Sequence, residues 1–146
     1  MPRETTCPFC DREGFAAQII QETSEAFVIH ARRPLSRGHI LILPKKHHAD
    51  FITLTSDEGS ALMGLVRGFS QVLQRAFSST GLNVFSNIGV SAGQTIPHLH
   101  IHLVPRFDGE MQSPFQILQS PERYKALERL SPESLKFQIT KIQEAL

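Results

Sequence analysis

One long stretch of the chain carries apolar residues at helical spacing, and this pattern predicts the main helix. The apolar side chains recur every three or four residues, at Leu62, Leu65, Val66, Phe69, Val72, Leu73, Ala76 and Phe77. Such spacing places them on one helical face. Thr55 followed by Glu58 is a capping-box pattern, and Gly81 stands where a C-terminal cap is expected. We therefore predict a helix over about residues 56–79.

Short apolar runs before and after this helix predict strands. Their bounds are 17–20, 27–30, 39–43, 82–88 and 98–104. The first two flank a polar turn and form a hairpin, and the last two are joined by a glycine-containing loop. Parallel sheets require strands that alternate regularly with helices, and these runs do not alternate in that way. The pattern predicts an α+β fold with a mainly antiparallel sheet of about five strands.

The two ends of the chain differ in their patterns. Residues 1–14 show no periodicity and are predicted to be irregular. Near the other end, Ser131 followed by Pro132 suits a helix N-cap and first turn. The apolar face of that helix would consist of Leu135, Ile139, Ile142 and Leu146. We see no repeat or linker, so we expect one domain over residues 1–146.

The composition indicates a soluble globular protein. Apolar residues make up 40% of the chain and charged residues 20%, and no run approaches the roughly 18 apolar residues that span a membrane. The first ten residues lack the apolar core of a signal peptide, so we expect a cytoplasmic protein with reduced cysteines. A net charge of only +1 predicts no stable nucleic-acid partner.

Negative charge is absent from two long stretches of the sequence. Residues 26–49 and 59–107 contain no carboxylate, and they contain all seven histidines. An apolar core alone accounts for part of this pattern. The alternative is a region kept free of negative charge because its ligand is an anion.

Three histidines alternate with apolar residues in the segment from Gly93 to Arg106. His98, His100 and His102 would lie on one face of a strand, about 6.6 Å apart in succession, with the apolar residues between them facing the core. Three incidental structural histidines in strict alternation are uncommon. Two chemistries remain: a metal site, since zinc binds imidazole nitrogen, or nucleophilic attack by a neutral imidazole on phosphorus. The lack of nearby carboxylates weakens the metal-hydrolase hypothesis.

The segment PHLHIHLVPR resembles the signature of the histidine-triad (HIT) family. The match extends upstream to Asn87, Gly89 and the Gly93-Gln94-Thr95 triplet. A second stretch, Pro34 to Gly38-His39 followed by ILILPKKH, resembles another recurrent family segment. The similarity spans about residues 7–108, with residues 109–146 as a C-terminal extension, and implies the HIT fold.

The resemblance implies a role for each matching residue. His100 would be the nucleophile that becomes nucleotidylated, and the His98 carbonyl would fix its tautomer. His102 would contact the phosphate and the leaving group, and His39 would support the triad. The remaining substrate contacts would come from Asn87, Gly93, Gln94 and Thr95, with Gln94 also assisting catalysis. No catalytic metal or organic cofactor is expected.

One position departs from the family pattern. The family usually carries Asp or Asn, for the ribose hydroxyls, three residues before the proline that matches Pro34. This chain has Ala31 there. Neighbouring His30 and Arg32 should face away from it in a strand. Ribose recognition is therefore expected to differ.

The Cys7-Pro8-Phe9-Cys10 motif has two interpretations. A dithiol redox centre needs a preceding strand and a helix at the first cysteine, but only six residues precede Cys7. A zinc site needs two further ligands. The resemblance implies that these are His47, which fits better than His48, and His98. The zinc would be structural and would anchor the catalytic strand.

The leading hypothesis is therefore an enzyme that cleaves dinucleoside polyphosphates or nucleoside phosphoramidates through a covalent His100 adduct. One alternative is a nucleotide-binding or interaction protein with little turnover, and Ala31 motivates it. The other is a metal-dependent hydrolase that uses the histidine cluster. The resemblance also implies a homodimer, formed by extending the sheet and packing the long helix.

Overall fold

The computed structural model describes residues 7–110, 116–117 and 120–146; the first six residues of the N-terminal stretch predicted to be irregular lie outside these. Five strands form one sheet: β1 Ile19–Glu22, β2 Ala26–His30, β3 Ile40–Pro44, β4 Gly81–Phe85 and β5 Ile101–Arg106. Their order is β1-β2-β3-β5-β4, and every neighbouring pair is antiparallel. The helices are α1 Ser56–Phe77, α2 Pro121–Ala126 and α3 Pro132–Glu144. The predicted α+β antiparallel fold is confirmed.

Apolar side chains cover both faces of the sheet, which explains the near-continuous apolar runs of β2 and β3. Val28 and Ile42 face the helices and pack with α1 and α3 in the larger core. Phe27 and Leu41 face the other way and pack with the N-terminal segment in a smaller cluster. We call this second side the site face. None of the helices in the described residues is long and apolar enough to cross a membrane.

The N-terminus of α1 follows the prediction, but its C-terminus does not. Thr55 accepts a hydrogen bond from the Glu58 amide at 3.1 Å, and the Glu58 carboxylate accepts one from the Thr55 amide at 2.8 Å. The predicted cap at Gly81 is wrong. Ser78 ends the helix in the left-handed region at φ 53°, where its N–H donates to the Gln74 carbonyl. Gly81 instead begins β4.

The first strand of the first hairpin lies two residues later than predicted, whereas the second follows the prediction to within one residue. Of the expected strand at 17–20, residues 19–20 belong to β1, and residues 17–18 end a 3-10 helix over residues 12–18. β1 extends to polar Glu22, whose carboxylate pairs with Arg12 and Lys45 at 2.8 Å each. Thr23 closes the turn, since its hydroxyl accepts from the Ala26 amide at 3.0 Å. These ion pairs let a polar residue end the strand.

The last two strands also differ from the prediction. β4 ends at Phe85 rather than residue 88, and β5 begins at Ile101 rather than His98. Residues 98–100 leave the ladder because the Leu99 amide donates to the His48 carbonyl at 2.6 Å. The segment before β5 is therefore held by residues after β3.

The C-terminal helix begins as predicted, with the Ser131 hydroxyl accepting from the Ser134 amide. Ile139 and Ile142 are buried against the sheet and α1, and Leu135 packs at their edge. The placement of Leu146 on this apolar face is wrong. It lies beyond the helix and is 58% exposed.

Candidate active site and metal centre

His100 and His102 lie side by side on the site face where β5 begins. Their ring centroids are 5.0 Å apart, and both residues are largely buried. The Phe9 ring meets His100 edge-on at 5.2 Å, and the Phe85 ring stacks on His102 at 4.6 Å with an interplanar angle of 8°. Phe85 pairs with His102 in the β4–β5 register. Aromatic rings therefore support both imidazoles.

The tautomer of His100 follows from its hydrogen bond. Its Nδ1 lies 2.8 Å from the carbonyl oxygen of His98, which can only accept. Nδ1 therefore carries the proton, and Nε2 carries a lone pair. Burial lowers the pKa of His100, because desolvation disfavours the imidazolium. The ring is thus a neutral nucleophile at pH 7.

A second chain of hydrogen bonds fixes the tautomer of His102. The Leu35 amide donates to Nδ1 of His39 at 3.0 Å, so the proton of His39 is on Nε2. That Nε2–H donates to Nδ1 of His102 at 3.0 Å. His102 is left with a proton on Nε2. Burial lowers the pKa of His102 to about 3 and that of His39 well below its usual range, so both rings are neutral at pH 7.

His98 does not share the open face with the other two triad rings, which corrects the expectation that all three face one anion. Its ring is fully buried. Nε2 donates to the Pro44 carbonyl at 2.8 Å, and Nδ1 lies 3.4 Å from the Cys7 sulfur. One ring nitrogen thus contacts the cysteines, and the other contacts the Pro44 carbonyl. His98 contacts His100 directly through its own carbonyl group.

The predicted zinc ligands come together in one cluster. Ligand atoms of Cys7, Cys10, His47 and His98 all lie within 4.8 Å of one another. Tetrahedral zinc, with Zn–S of about 2.3 Å and Zn–N of about 2.0–2.1 Å, places sulfur and nitrogen about 3.6 Å apart. The observed separations are 3.3–3.6 Å. Because Nε2 of His98 is protonated, its Nδ1 presents a lone pair to the cluster. These residues fit a zinc ion.

His48 points away from this cluster, in agreement with the preference for His47. Its Nδ1 is 2.8 Å from the Thr53 hydroxyl, and its Nε2 is 3.2 Å from a Glu58 carboxylate oxygen. The second contact is within ion-pair distance, but its geometry is not that of a hydrogen bond. His48 therefore connects the segment after β3 to the first turn of α1.

The loop before the triad is stabilised by Gln94. Its side-chain oxygen accepts from the Gly89 amide at 2.8 Å, and its Nε2 donates to the Ala49 carbonyl at 3.0 Å. One N–H of the Gln94 amide remains for a ligand. Gly93 adopts φ +91° close to Asn87, and Thr95 is exposed. The loop thus brings Gly93 close to Asn87, and Gln94 joins it to the segment after β3.

Ala31 lies on the site face beside His39. Its N–H donates to the His39 carbonyl at 2.8 Å, which continues the β2–β3 ladder by one residue. Residues opposite each other in a ladder point to the same face. Ala31 is 5% exposed and offers an apolar methyl group where an acceptor was expected.

Three residues that support the histidines were not predicted. Phe9 packs against the rings of both His98 and His100. The Ser86 hydroxyl donates to the His100 carbonyl at 2.7 Å. Phe85 and Ser86 follow from the β4–β5 register, once that register is known. Phe9 has a sequence signal only in its position between the two cysteines.

Comparison with known proteins identifies similar sequences. The HIT domain family matches residues 13–109. An uncharacterised HIT-like protein of Mycoplasma genitalium is 34% identical over 112 residues, which cover 74% of this chain and 79% of the relative. The bis(5'-adenosyl)-triphosphatase of Dictyostelium discoideum is 28% identical over 123 residues, which cover 80% and 83%.

Solved structures show the same fold. A hypothetical histidine triad nucleotide-binding protein from Sulfolobus tokodaii superposes with a TM-score of 0.79 at 28% identity, covering 95% of this chain and 91% of that one. A Zn-bound histidine triad family protein from Mycobacterium smegmatis superposes with a TM-score of 0.69 at 26% identity, covering 97% and 98%. The second similarity is consistent with the metal-ligand cluster.

Proposed function

Because this chain belongs to the HIT domain family, we propose that it is a nucleotide hydrolase that forms a covalent His100-nucleotidyl intermediate. The substrate would be a dinucleoside polyphosphate or a nucleoside phosphoramidate. The relative from Dictyostelium discoideum is named a bis(5'-adenosyl)-triphosphatase, which supports the first class. The observation that carries the proposal is the 2.8 Å bond from His100 Nδ1 to the His98 carbonyl, which leaves the lone pair on Nε2.

The first step forms a bond from His100 Nε2 to the α-phosphorus. The bond from phosphorus to the leaving group breaks, and the leaving group takes its electron pair. The imidazole becomes cationic, and the His98 carbonyl stabilises the charge through the Nδ1–H bond. His102 presents its Nε2–H to the leaving atom. A phosphate leaving group needs only this hydrogen bond, whereas an amine leaving group also takes a proton from solvent, because neutral His102 keeps its single ring proton.

The second step is hydrolysis of the adduct. Water attacks phosphorus, the N–P electron pair returns to His100, and the excess proton passes to solvent. The loop over residues 89–95 would neutralise oxygen charge through its amides, because phosphoryl-type transfers depend on positioning and charge stabilisation. Gln94 has one amide N–H left for this task.

Zinc bound by the two cysteines, His47 and His98 would supply a structural crosslink between the N-terminal segment and the triad segment. His100 and His102 are not part of the metal-ligand cluster found in the described residues. This separation favours covalent catalysis over the metal-dependent alternative. The residues that act on phosphorus are then those of the site face.

A nucleotide-binding protein with little turnover is the second candidate. The apolar methyl of Ala31 favours it, because a catalytic nucleoside site usually orients the ribose. The two candidates differ in whether the adduct forms. Binding alone requires no bond to His100.

The test is direct detection of the adduct. Wild type and His100→Ala are incubated with a panel of dinucleoside polyphosphates and phosphoramidates, quenched without acid, and weighed intact. We expect a nucleotidyl mass on wild type and on His48→Gln, a control at a buried histidine outside the site face. Equal nucleotide affinity in wild type and His100→Ala, with no adduct and no turnover in either, would refute the hydrolase and favour the binding protein.

A further inference from the structure

Gln138 of α3 contacts the turn that precedes His39, although α3 lies outside the family match at residues 13–109. Its side-chain oxygen accepts from the Gly38 amide at 2.9 Å and lies 2.9 Å from Nε2 of His30. The Gly38 N–H can only donate, so the Gln138 atom facing it is oxygen. The amide oxygen thus joins the C-terminal helix to the turn beside the site.

The turn at Gly38 has little freedom to find another partner. Gly38 adopts φ +78°, and a side chain there would meet the Phe77 ring at 2.6 Å. Its N–H is buried between α1 and α3, and a buried amide without a partner is costly. In the described structure Gln138 provides that partner. At Gly38 the turn is therefore held by α3, in addition to the Ser36 hydroxyl, which donates to the Pro105 carbonyl at 2.6 Å.

This turn determines which ring nitrogen of His39, and through His39 which nitrogen of His102, carries the proton. Leu35, within the turn, donates its amide to Nδ1 of His39, and His39 donates to Nδ1 of His102. Each contact requires the turn to keep its shape. If the turn relaxes, His39 loses the bond that selects its tautomer, and His102 no longer has a fixed proton on Nε2.

We propose that Gln138 is a positioning residue for His102, acting through Gly38 and His39. The inference rests on the proposed function, in which the Nε2–H of His102 faces the leaving group. Gln138 itself lies on the helix side of the sheet and does not reach the substrate. Its loss should therefore lower kcat by about tenfold, with KM within about twofold of wild type.

The helix provides a matched control. Gln143, on the same helix, donates its side-chain amide to the Ile20 carbonyl at 3.1 Å, so it also joins α3 to the sheet but away from the turn. Gln143→Met removes one side-chain hydrogen bond, and Gln138→Met removes the contacts of its oxygen with the Gly38 amide and His30 Nε2, each at similar volume. Gln138→Glu keeps an acceptor for the Gly38 amide and is the conservative rescue.

The experiment measures kcat, KM, melting temperature and the ¹⁵N signals of the histidine rings without substrate. We expect Gln138→Met to lower kcat and to shift His102 from a single Nε2–H tautomer to a mixture. Gln143→Met should lower only the melting temperature, and Gln138→Glu should restore the tautomer and kcat to within about threefold.

Equal effects of the two methionine variants on kcat, or an unchanged His102 tautomer in Gln138→Met, would overturn the proposal. A Gln138→Glu variant that restores neither kcat nor the His102 tautomer would also overturn the proposal. This comparison is made with wild type, so it applies even if Gln138→Met does not fold. The ring signals do not depend on turnover. If the hydrolase proposal fails, no adduct will be detected, but the effect of Gln138→Met on the His102 tautomer will remain.

Discussion

His98 serves two sites because its side chain and its carbonyl point to different partners. The ring faces the cysteines, whereas the carbonyl accepts the proton of His100. A change in the position of the ring therefore moves the acceptor that sets the tautomer of the nucleophile. The metal-ligand cluster and His100 are thus coupled through His98, and also through Phe9, whose ring packs against both histidines.

Because residue 31 is alanine, we predict that the protein discriminates only weakly between ribo- and 2'-deoxy substrates. No acceptor from this position meets the sugar hydroxyls, so we expect kcat/KM for ribo- and 2'-deoxy substrates to agree within about threefold. Ala31→Asp should favour the ribo substrate by about tenfold or more, since a hydrogen bond to a charged group contributes roughly 1.5–3 kcal/mol. Steady-state kinetics on the paired substrates measures both ratios.

The control for this change is Ala31→Leu, which alters volume without adding an acceptor. It should show no new preference for either sugar. A melting curve accompanies each variant, because a carboxylate at a buried position costs stability. Strong preference of wild type for the ribo substrate would contradict the prediction.

The sequence predicted the paired histidines of the site face better than the residues that support them. His100 and His102 follow from the alternating pattern, since alternate residues of a strand share a face. Gln138 and Gly38 meet across 100 positions, and no local pattern signals such a contact. The alternating pattern alone placed the His98 ring with the other two, and only the family resemblance, through the expected zinc ligands, directed it toward cysteines 88–91 positions away.

The N-terminal segment is joined to the start of β5 chiefly through the proposed zinc ligands and Phe9. Wild type should bind about one zinc per chain, and chelation should lower its melting temperature, because a structural metal site contributes folding free energy. The double variant Cys7→Ser, Cys10→Ser should bind none. Elemental analysis and thermal melting measure these effects.

Chelator added to the double variant is the internal control and should leave its melting temperature unchanged. An equal loss of stability in both proteins would show that the chelator acts elsewhere. A wild type that contains no zinc and melts at the same temperature with and without chelator would refute the site.

Element types were predicted more accurately than element ends. α1 and α3 begin where capping patterns place them, because caps are local hydrogen bonds. The shifts in β1, β4 and β5 arise from tertiary contacts: ion pairs at Glu22 and the bond from Leu99 to the His48 carbonyl. Such contacts depend on the folded arrangement and leave no periodic signal.

At the scale of the whole molecule, β4 forms one edge of the sheet. Val84 in this edge strand is 46% exposed, and Met63 on α1 is also exposed. Open edges and apolar side chains favour pairing with another chain. We expect a homodimer that extends the sheet, with a mass about twice the 16.4 kDa of the chain at micromolar concentration.

Light scattering after gel filtration measures this mass. Val84→Lys should shift the protein toward monomer, because a charge on an edge strand opposes pairing. Lys substitution at Val90, which is exposed in the loop beyond β4, is the control and should leave the mass unchanged. A monomeric wild type would contradict the dimer.

Gln138, which we propose positions His102, lies near one terminus, and two of the four proposed metal ligands, Cys7 and Cys10, lie near the other. A fragment trimmed to the family match at residues 13–109 would keep every histidine yet discard Cys7, Cys10 and the helix that carries Gln138. Such a truncation would keep the histidine motif but remove both the cysteine ligands and Gln138. We therefore expect the functional unit of this protein to be longer than the segment that the family model matches.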